Sequence, residues 1–371
     1  MTAAKAELIR VKQLLTKVKE EKMPFRWSIN PYRGCMHGCS FCYARAFHSF
    51  IGMGADEFQS RILVKENAAA ALEGQLHRMA ARHRFDLAAM ARDIGHVAIG
   101  TATDPYQPAE GAHRITRECL KVLARYQVPV SITTRSPLIL RDLDLLAQCR
   151  VLSVNISLHT LDDRLIRSLE PGSPLSAPRL QALRELREAG LPAGVFAAPI
   201  LPLLSDSRSA LQELMQASRA CGALFLMSSL LRLTPEVKGW YYGVLREAAP
   251  EVVPEYERIF QGAYAIRSYE EELRARVEEL RLLYGLPCSL PAVEKPGRWS
   301  GEACAWPPGG GPTGCGPADG CGPTDGGLAA FEPQRSSVSL GQRLAARRED
   351  PAAEASRGPV KEVLEQMALP F

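Results

Sequence analysis

No run of apolar residues in this 371-residue chain is long enough to cross a bilayer as a helix. Charge begins at Lys5, so no cleavable secretory leader is expected either. Both absences lead to the expectation of a cytoplasmic protein without membrane contact. Net charge is also scarce: 45 Lys+Arg against 41 Asp+Glu leave +4, too small an excess to indicate a polyanionic partner by itself. Local clusters at Arg78, Arg82, Arg84 and at Arg343, Arg347, Arg348 fit solvated helix faces, with a groove for an anionic polymer as the sharper alternative. At 46% hydrophobic and 23% charged residues, the composition is that of a globular chain able to bury one large core or two modest ones.

Leu8, Val11, Leu14, Leu15 and Val18 recur at helical spacing, so residues 1–25 read as an amphipathic helix packed on the main domain. From 26 to 235 the rhythm changes. Apolar, β-branched segments at 26–32, 96–102, 128–134, 151–158, 194–200 and 224–230 alternate with helical patterns at 67–84, 109–126, 138–149, 178–189 and 209–220. Such alternation calls for a mostly parallel sheet with helical crossovers. Six repeats fall short of the eight of a complete barrel, and the expected fold is α/β, a partial, open (β/α)6 barrel. Residues 236–297 read as a helical C-terminal extension covering one end of that barrel. Residues 298–359 are Gly/Pro-rich and then polar, a flexible linker by composition, before a short apolar peptide at 360–371.

Ten cysteines without an export signal are expected to be reduced thiols, metal ligands or core fillers. Cys119, Cys149 and Cys221 lie in apolar helical patterns and read as small buried hydrophobes. Cys304, Cys315 and Cys321, with Cys288 as a fourth, have no recognised ligand spacing and read as linker cysteines, with a second metal site as the alternative. The segment NPYRGCMHGCSFCYAR is different. It sets Cys35, Cys39 and Cys42 in the spacing C-x3-C-x2-C directly after a predicted strand. Three thiolates in a tight loop suit three irons of a 4Fe–4S cluster and leave the fourth iron open. Gly34 and Gly38 let the backbone fold closely around it. The alternatives are unligated thiols and a structural zinc site, which wants four ligands and would draw His37 from the same loop.

This spacing, with Phe41 just before the third cysteine, resembles the radical S-adenosylmethionine superfamily. The resemblance implies that the amino and carboxylate groups of S-adenosylmethionine chelate the open iron. An electron from the reduced cluster then breaks a carbon–sulfur bond, giving methionine and a 5′-deoxyadenosyl radical that takes hydrogen from a substrate. It implies the same partial (β/α)6 barrel, and an electron donor such as flavodoxin or ferredoxin. The blocks INPYRGCMHGCSFCYAR, IGTATDPYQPAE, ITTRS and APILPLLSD resemble more narrowly the branch related to spore photoproduct lyase, over residues 26 to 235. Each block ends a predicted strand, where such a barrel gathers its active-site groups.

Residue roles follow from that resemblance. Thr101, Thr103 and Asp104 are implied at the methionine amino group, whose ammonium their oxygens can accept from. Arg135 stands in the place of a lysine and is implied at the carboxylate, where a bidentate guanidinium is strong and orienting. Asn155 and Ser157 end the fourth strand, with Ser157 implied at the ribose hydroxyls; Pro199 and Ile200 are implied along the adenine. Tyr43 is retained from the aromatic pair around the third cysteine, while Phe41, beside the cofactor, replaces a tyrosine. Thr101 occupies the position of the branch's hydrogen-donating cysteine, and together with Tyr43 it is a candidate catalytic residue. Its O–H bond is too strong to do a thiol's work, so repair of spore photoproduct itself is not expected. A different radical reaction on nucleic acid is the leading expectation. A protein or small-metabolite substrate, and a non-catalytic iron–sulfur redox protein, are the alternatives. The terminal EQMALPF, with Gln366, Leu369 and Phe371, resembles peptides that dock on the bacterial DNA sliding clamp. Its alternative is an apolar turn packed on its own domain.

Overall fold

Ten strands are found in a computed structural model that describes residues 5–19, 23–46, 52, 54 and 57–289. In chain order they are β1 (Lys5–Ile9), β2 (Leu15–Lys17), β3 (Trp27–Ile29), β4 (Tyr32–Arg33), β5 (Arg61–Lys65), β6 (Val97–Ile99), β7 (Val130–Thr134), β8 (Val151–Ser157), β9 (Ala193–Ile200) and β10 (Leu226–Leu230). β3, β6, β7, β8, β9 and β10 lie side by side in that order, every pair parallel, and β2 closes one edge antiparallel to β3. These six parallel strands are the six predicted segments. The sheet is open, with β2 and β10 at its edges.

Parallel neighbours need a crossover, and helices provide it. Ala68–Arg82, Ile115–Tyr126, Ser176–Glu188 and Arg208–Ala220 bury Leu72 and Leu76, Leu120 and Leu123, Leu183 and Leu186, and Leu211 and Leu214 against the sheet in one core. Val97, Ala98 and Ile99 are all buried, as a strand covered on both faces requires. Gly190, at φ +78, ends Ser176–Glu188 in the left-handed conformation expected of a glycine there.

Three expectations are corrected. The first is the N-terminal helix: β1 and β2 stand there, joined by an irregular stretch at 10–14, with Leu8 60% exposed and Leu14 and Leu15 buried side by side. Two amide side chains replace the helical hydrogen bonds. Asn67 takes Val11 N and donates to Val11 O, both within 2.9 Å, and Gln75 Oε1 takes Leu14 N and Leu15 N at 2.7 and 2.9 Å. The second is the first predicted strand, which divides at Asn30-Pro31 into β3 of the main sheet and β4 of a small one, ordered β1-β5-β4. Proline cannot supply the ladder N–H that would continue β3. The third is the helix at 109–126, which breaks at Arg114 (φ +54) into Pro108–His113 and Ile115–Tyr126.

The C-terminal extension is helical: Pro235–Ala248, Val253–Ile259 and Arg267–Leu283. Arg208 pairs with Glu279 at 2.5 Å, tying the last helix to the domain, and Trp240 stacks 4.6 Å from the guanidinium of Arg45 in the cysteine loop. Cys119 and Cys221 are buried and Cys149 is half-buried; Cys288 is exposed. The expectations on Cys304, Cys315, Cys321, the linker and the terminal peptide with Gln366, Leu369 and Phe371 lie outside the described residues. Among the described residues no helix is long and apolar enough to cross a membrane.

Candidate active site

The cysteine loop leaves β4 and folds over the carboxyl end of the main sheet. Its backbone closes on itself through Gly38 N to Cys35 O (3.1 Å) and Cys42 N to Cys39 O (3.3 Å). Cys35 N donates to Phe58 O (2.9 Å). Gly34 is required there twice over: its φ is +80, and a Cβ would sit 2.8 Å from Arg61 O. The buried Arg45 guanidinium donates to the carbonyls of Gly38 and Cys39 at 2.8 and 2.9 Å, fixing the middle of the loop.

Block TATDPYQPAE turns out to be the brace of this loop. Thr103 Oγ1 donates to Gly34 O at 2.6 Å; Gln107 Nε2 donates to the same carbonyl at 3.1 Å, and its Oε1 takes Met36 N at 2.9 Å. Glu110 accepts from the Tyr32 hydroxyl. Asp104 Oδ1 takes Thr134 Oγ1 (2.6 Å) and Tyr106 N (2.9 Å); Oδ2 takes Arg135 N (2.9 Å) and lies 3.2 Å from His37 Nε2. A carboxylate has about four lone-pair sites; three of them take hydrogen bonds, and His37 Nε2 stands at the fourth as an ionic contact. Asp104 and Thr103 are thus engaged with the loop and with β7, not held open toward a methionine ammonium.

Burial pushes the Asp104 carboxyl up, but His37, Thr134 and the Arg135 amide outweigh it and bring it from 3.8 to about 2. A depressed folded-state value stabilises the fold fully above the unfolded value and is lost as pH falls through the folded one. Asp104→Asn is therefore expected to cost about 2 kcal/mol at neutral pH, with the gap to wild type closing between pH 4 and pH 2. Urea unfolding of the metal-free proteins across that range checks it; a gap independent of pH would refute the assignment.

The other expected residues line successive strand ends. Thr101 is half-buried, its Oγ1 accepting from Asn30 Nδ2 at 2.9 Å and its carbonyl from the Tyr43 hydroxyl. Tyr43 is 44% exposed. Asn155 donates to Thr133 Oγ1 at 3.0 Å, while its Oδ1 is buried without a hydrogen-bond partner. Ser157 is buried, with its carbonyl taking Arg179 Nη1 at 3.0 Å. Pro199 is half-buried after a cis peptide bond, and Ile200 belongs to the hydrophobic core. Phe41 is buried edge-on to His159, with ring centroids 5.4 Å apart.

The donor set fits a 4Fe–4S cluster. Burial pushes the Cys39 thiol up to about 12, with Arg135 working against it, and burial likewise raises Cys35 and Cys42. Three crowded thiols become ligands only with cationic charge beside them, which iron supplies. Arg135 adds a second cation: burial opposes its charge, and Cys39, Glu170 and Asp104 outweigh that. Its Nε is buried without a hydrogen bond, so a guanidinium beside the cysteines keeps donors for a ligand. Among the described residues, no three His, Cys, Asp or Glu side chains enclose one ion, as corner thiolates on separate irons need not. The zinc alternative loses its fourth ligand, because His37 is buried between Gly172 O (3.1 Å, from Nδ1) and Asp104 (3.2 Å, from Nε2).

Sequence reasoning missed Asn30, Arg45, Gln107, Glu110 and the group His159, Glu170, Arg179. The three-residue step Asp104, Gln107, Glu110 was the available signal for one of these sets. SLEPGSP, a charged residue beside Gly and Pro between the helices Asp163–Leu169 and Ser176–Glu188, was the signal for another.

Comparisons with known proteins agree with this fold. The model of the Radical SAM superfamily matches residues 29–215. An uncharacterized protein of Mycobacterium tuberculosis is 37% identical over 269 residues, 71% of this chain and 76% of the relative. One of Methanocaldococcus jannaschii is 30% identical over 204 residues, 55% of this chain and 71% of the relative. Among solved structures, a spore photoproduct lyase mutant with dinucleoside spore photoproduct superposes with a TM-score of 0.56 at 16% identity, over 76% of this chain and 80% of that one. A second mutant, with bound AdoMet and the same dinucleoside, gives 0.55 at 17% identity over the same shares. The chain belongs to the radical SAM superfamily, on a fold shared with spore photoproduct lyase.

Proposed function

We propose that this enzyme assembles a 4Fe–4S cluster on Cys35, Cys39 and Cys42, binds S-adenosylmethionine at the carboxyl ends of β6 to β9, and takes hydrogen from a nucleic acid. The observation that carries the reading is the three-cysteine loop, Cys35 and Cys39 buried and Cys42 half-buried, beside a half-buried Arg135 whose buried Nε has no hydrogen bond. The chemistry these groups supply when bound is one-electron cleavage of a carbon–sulfur bond followed by hydrogen abstraction. The chain's own residues hold and orient them. Arg135 pairs with a carboxylate, and Asn155 Oδ1 accepts from an amine or hydroxyl. Thr103, Asp104 and Gln107 keep the cysteines from moving. Tyr43, exposed and hydrogen-bonded to Thr101, faces the substrate side.

Nucleic acid is supported as the substrate class by the dinucleoside in the solved structures of spore photoproduct lyase, which share the fold. Thr101 argues against repair of that same lesion, since its hydroxyl cannot return hydrogen as a thiol does. An electron donor of flavodoxin or ferredoxin type, and docking on a sliding clamp through Gln366, Leu369 and Phe371, belong to the same proposal.

The test is anaerobic reconstitution with iron and sulfide, then reduction with S-adenosylmethionine present. Wild type is expected to release 5′-deoxyadenosine, and the triple change Cys35→Ala, Cys39→Ala, Cys42→Ala to reduce it to background. Oligonucleotide affinity of the wild-type holoprotein is expected to fall linearly on a log–log plot as salt rises. Full cleavage by the triple variant would sink the cluster assignment. Absence of salt-dependent binding would remove nucleic acid and leave a protein or small metabolite as substrate.

A further inference from the structure

Behind the cysteine loop runs a strap, Leu169–Ser173, that neither the cluster nor the brace accounts for. It is bound to the loop along its length. Ser40 N donates to Leu169 O at 2.8 Å, Gly172 N donates to His37 O at 3.0 Å, and His37 Nδ1 lies 3.1 Å from Gly172 O. In its middle sits Glu170, 0% exposed. Two guanidinium groups converge on Oε2: Arg179 Nη2 at 2.5 Å and Arg135 Nε at 3.4 Å. The other oxygen lies 3.1 Å from His159 Nε2, and His159 stands edge-on to Phe41 between Cys39 and Cys42.

A buried carboxylate persists only when cations and donors surround it. Burial would push Glu170 up, but Arg179, Arg135 and His159 hold it well below the usual carboxylate range. The three partners differ. Arg179 is fully engaged, through Nε to Pro174 O at 2.9 Å and Nη1 to Ser157 O at 3.0 Å. Arg135 is not: among the described residues its side chain makes no hydrogen bond, and the Glu170 contact is longer and ionic. Arg179 therefore anchors the carboxylate, and the carboxylate steers Arg135.

We infer that Glu170 is a positioning residue: from the strap it holds the Arg135 guanidinium beside the cysteine loop, ready to pair with the carboxylate of S-adenosylmethionine. The inference rests on the proposed function, because it needs S-adenosylmethionine at this site. It adds a residue that never touches the ligand and explains why a glutamate is buried beneath the cysteine loop.

The experiment compares wild-type and Glu170→Gln holoprotein by equilibrium dialysis with S-adenosylmethionine and with its decarboxylated analogue. Iron per chain is expected to be equal, since Glu170 bonds to none of the cysteines. Affinity for S-adenosylmethionine is expected to fall about 10–100-fold, the usual consequence of removing a group that orients a ligand-binding side chain. Affinity for the decarboxylated analogue, which offers Arg135 nothing, is expected to be the same in both proteins. Equal S-adenosylmethionine affinity in both proteins would overturn the inference. So would an equal loss for both ligands, which marks a merely structural role. Failure of wild type to bind S-adenosylmethionine would instead overturn the proposed function itself. Should Glu170→Gln not fold, His159→Gln decides. That variant releases only the Oε1 side, and a loss confined to the carboxylate-bearing ligand supports the inference, whereas none overturns it.

Discussion

Gly172→Ala is expected to cost the protein its iron before it costs the protein its fold. A Cβ at this position would lie 2.0 Å from Met36 O and 3.2 Å from His37 Cα. Both obstacles are backbone, so no side-chain rotation relieves them. Either the strap retreats, breaking the pair between Gly172 and His37, or residues 36–37 shift between Cys35 and Cys39. Overpacking of this kind costs about 1–3 kcal/mol. Because the strain falls within the ligand loop, about 1.4 kcal/mol of it suffices for a tenfold loss of affinity for the metal. Iron retained per chain against a competing chelator should therefore drop, while the metal-free protein melts lower by roughly 2–4 °C per kcal/mol lost. Iron assay and thermal melts on the same preparation check both halves. A variant that keeps its full iron would show that the strap does not shape the loop.

The parallel sheet was legible because most of its strands are short, apolar, β-branched runs between helical patterns, with Val97–Ile99 buried on both faces. Val130–Thr134 and Ala193–Ile200 agree with prediction to within two residues at either end. The small sheet was not legible. Lys5–Ile9 alternates like a half-exposed strand, but its apolar residues also satisfy helical spacing over so short a window. What decides between them is distant in sequence: β5 supplies the ladder, and Asn67 and Gln75 supply amide partners for residues 11–15. Arg61–Lys65 was hidden for the same reason, as its partners are about 30 and 56 residues away in the chain.

At the site, the cysteines announced themselves because three soft ligands at close spacing have few structural explanations. Arg135, Asn155 and Ser157 were reachable from their positions at strand ends. The supporting residues were not, since a buried Gln107 or Glu170 looks in sequence like any surface polar residue. Asp104 shows how the two kinds differ. Its motif marked it as important, but only geometry shows that His37, Thr134, Tyr106 and Arg135 use its oxygens. The sequence blocks that resemble the family thus mix two jobs, touching the ligand and bracing the loop that does.

Glu110 is the clearest bracing residue, and Glu110→Ala is expected to be the most destabilising single change outside the cysteine loop. The carboxylate is 0% exposed and gathers four donors from three directions. Tyr32 OH reaches it from β4; Thr116 N (2.8 Å) and Arg117 N (3.2 Å) come from the start of the next helix; Arg141 Nη2 (2.7 Å) comes from beyond β7. Removing one side of a buried ion pair leaves its partner uncompensated and costs about 3–5 kcal/mol. Arg141 keeps Asp142 as a partner, which favours the lower end of that range. Tyr32→Phe deletes one of the four donors and leaves the carboxylate its other partners, so about 1 kcal/mol is expected. Glu110→Gln falls between, since its amide nitrogen meets donors where an oxygen accepted. Urea unfolding of the three metal-free variants should rank them in that order. If Glu110→Ala proved no worse than Tyr32→Phe, the carboxylate would not be what joins β4 of the small sheet, and with it the root of the cysteine loop, to the main sheet and its helices.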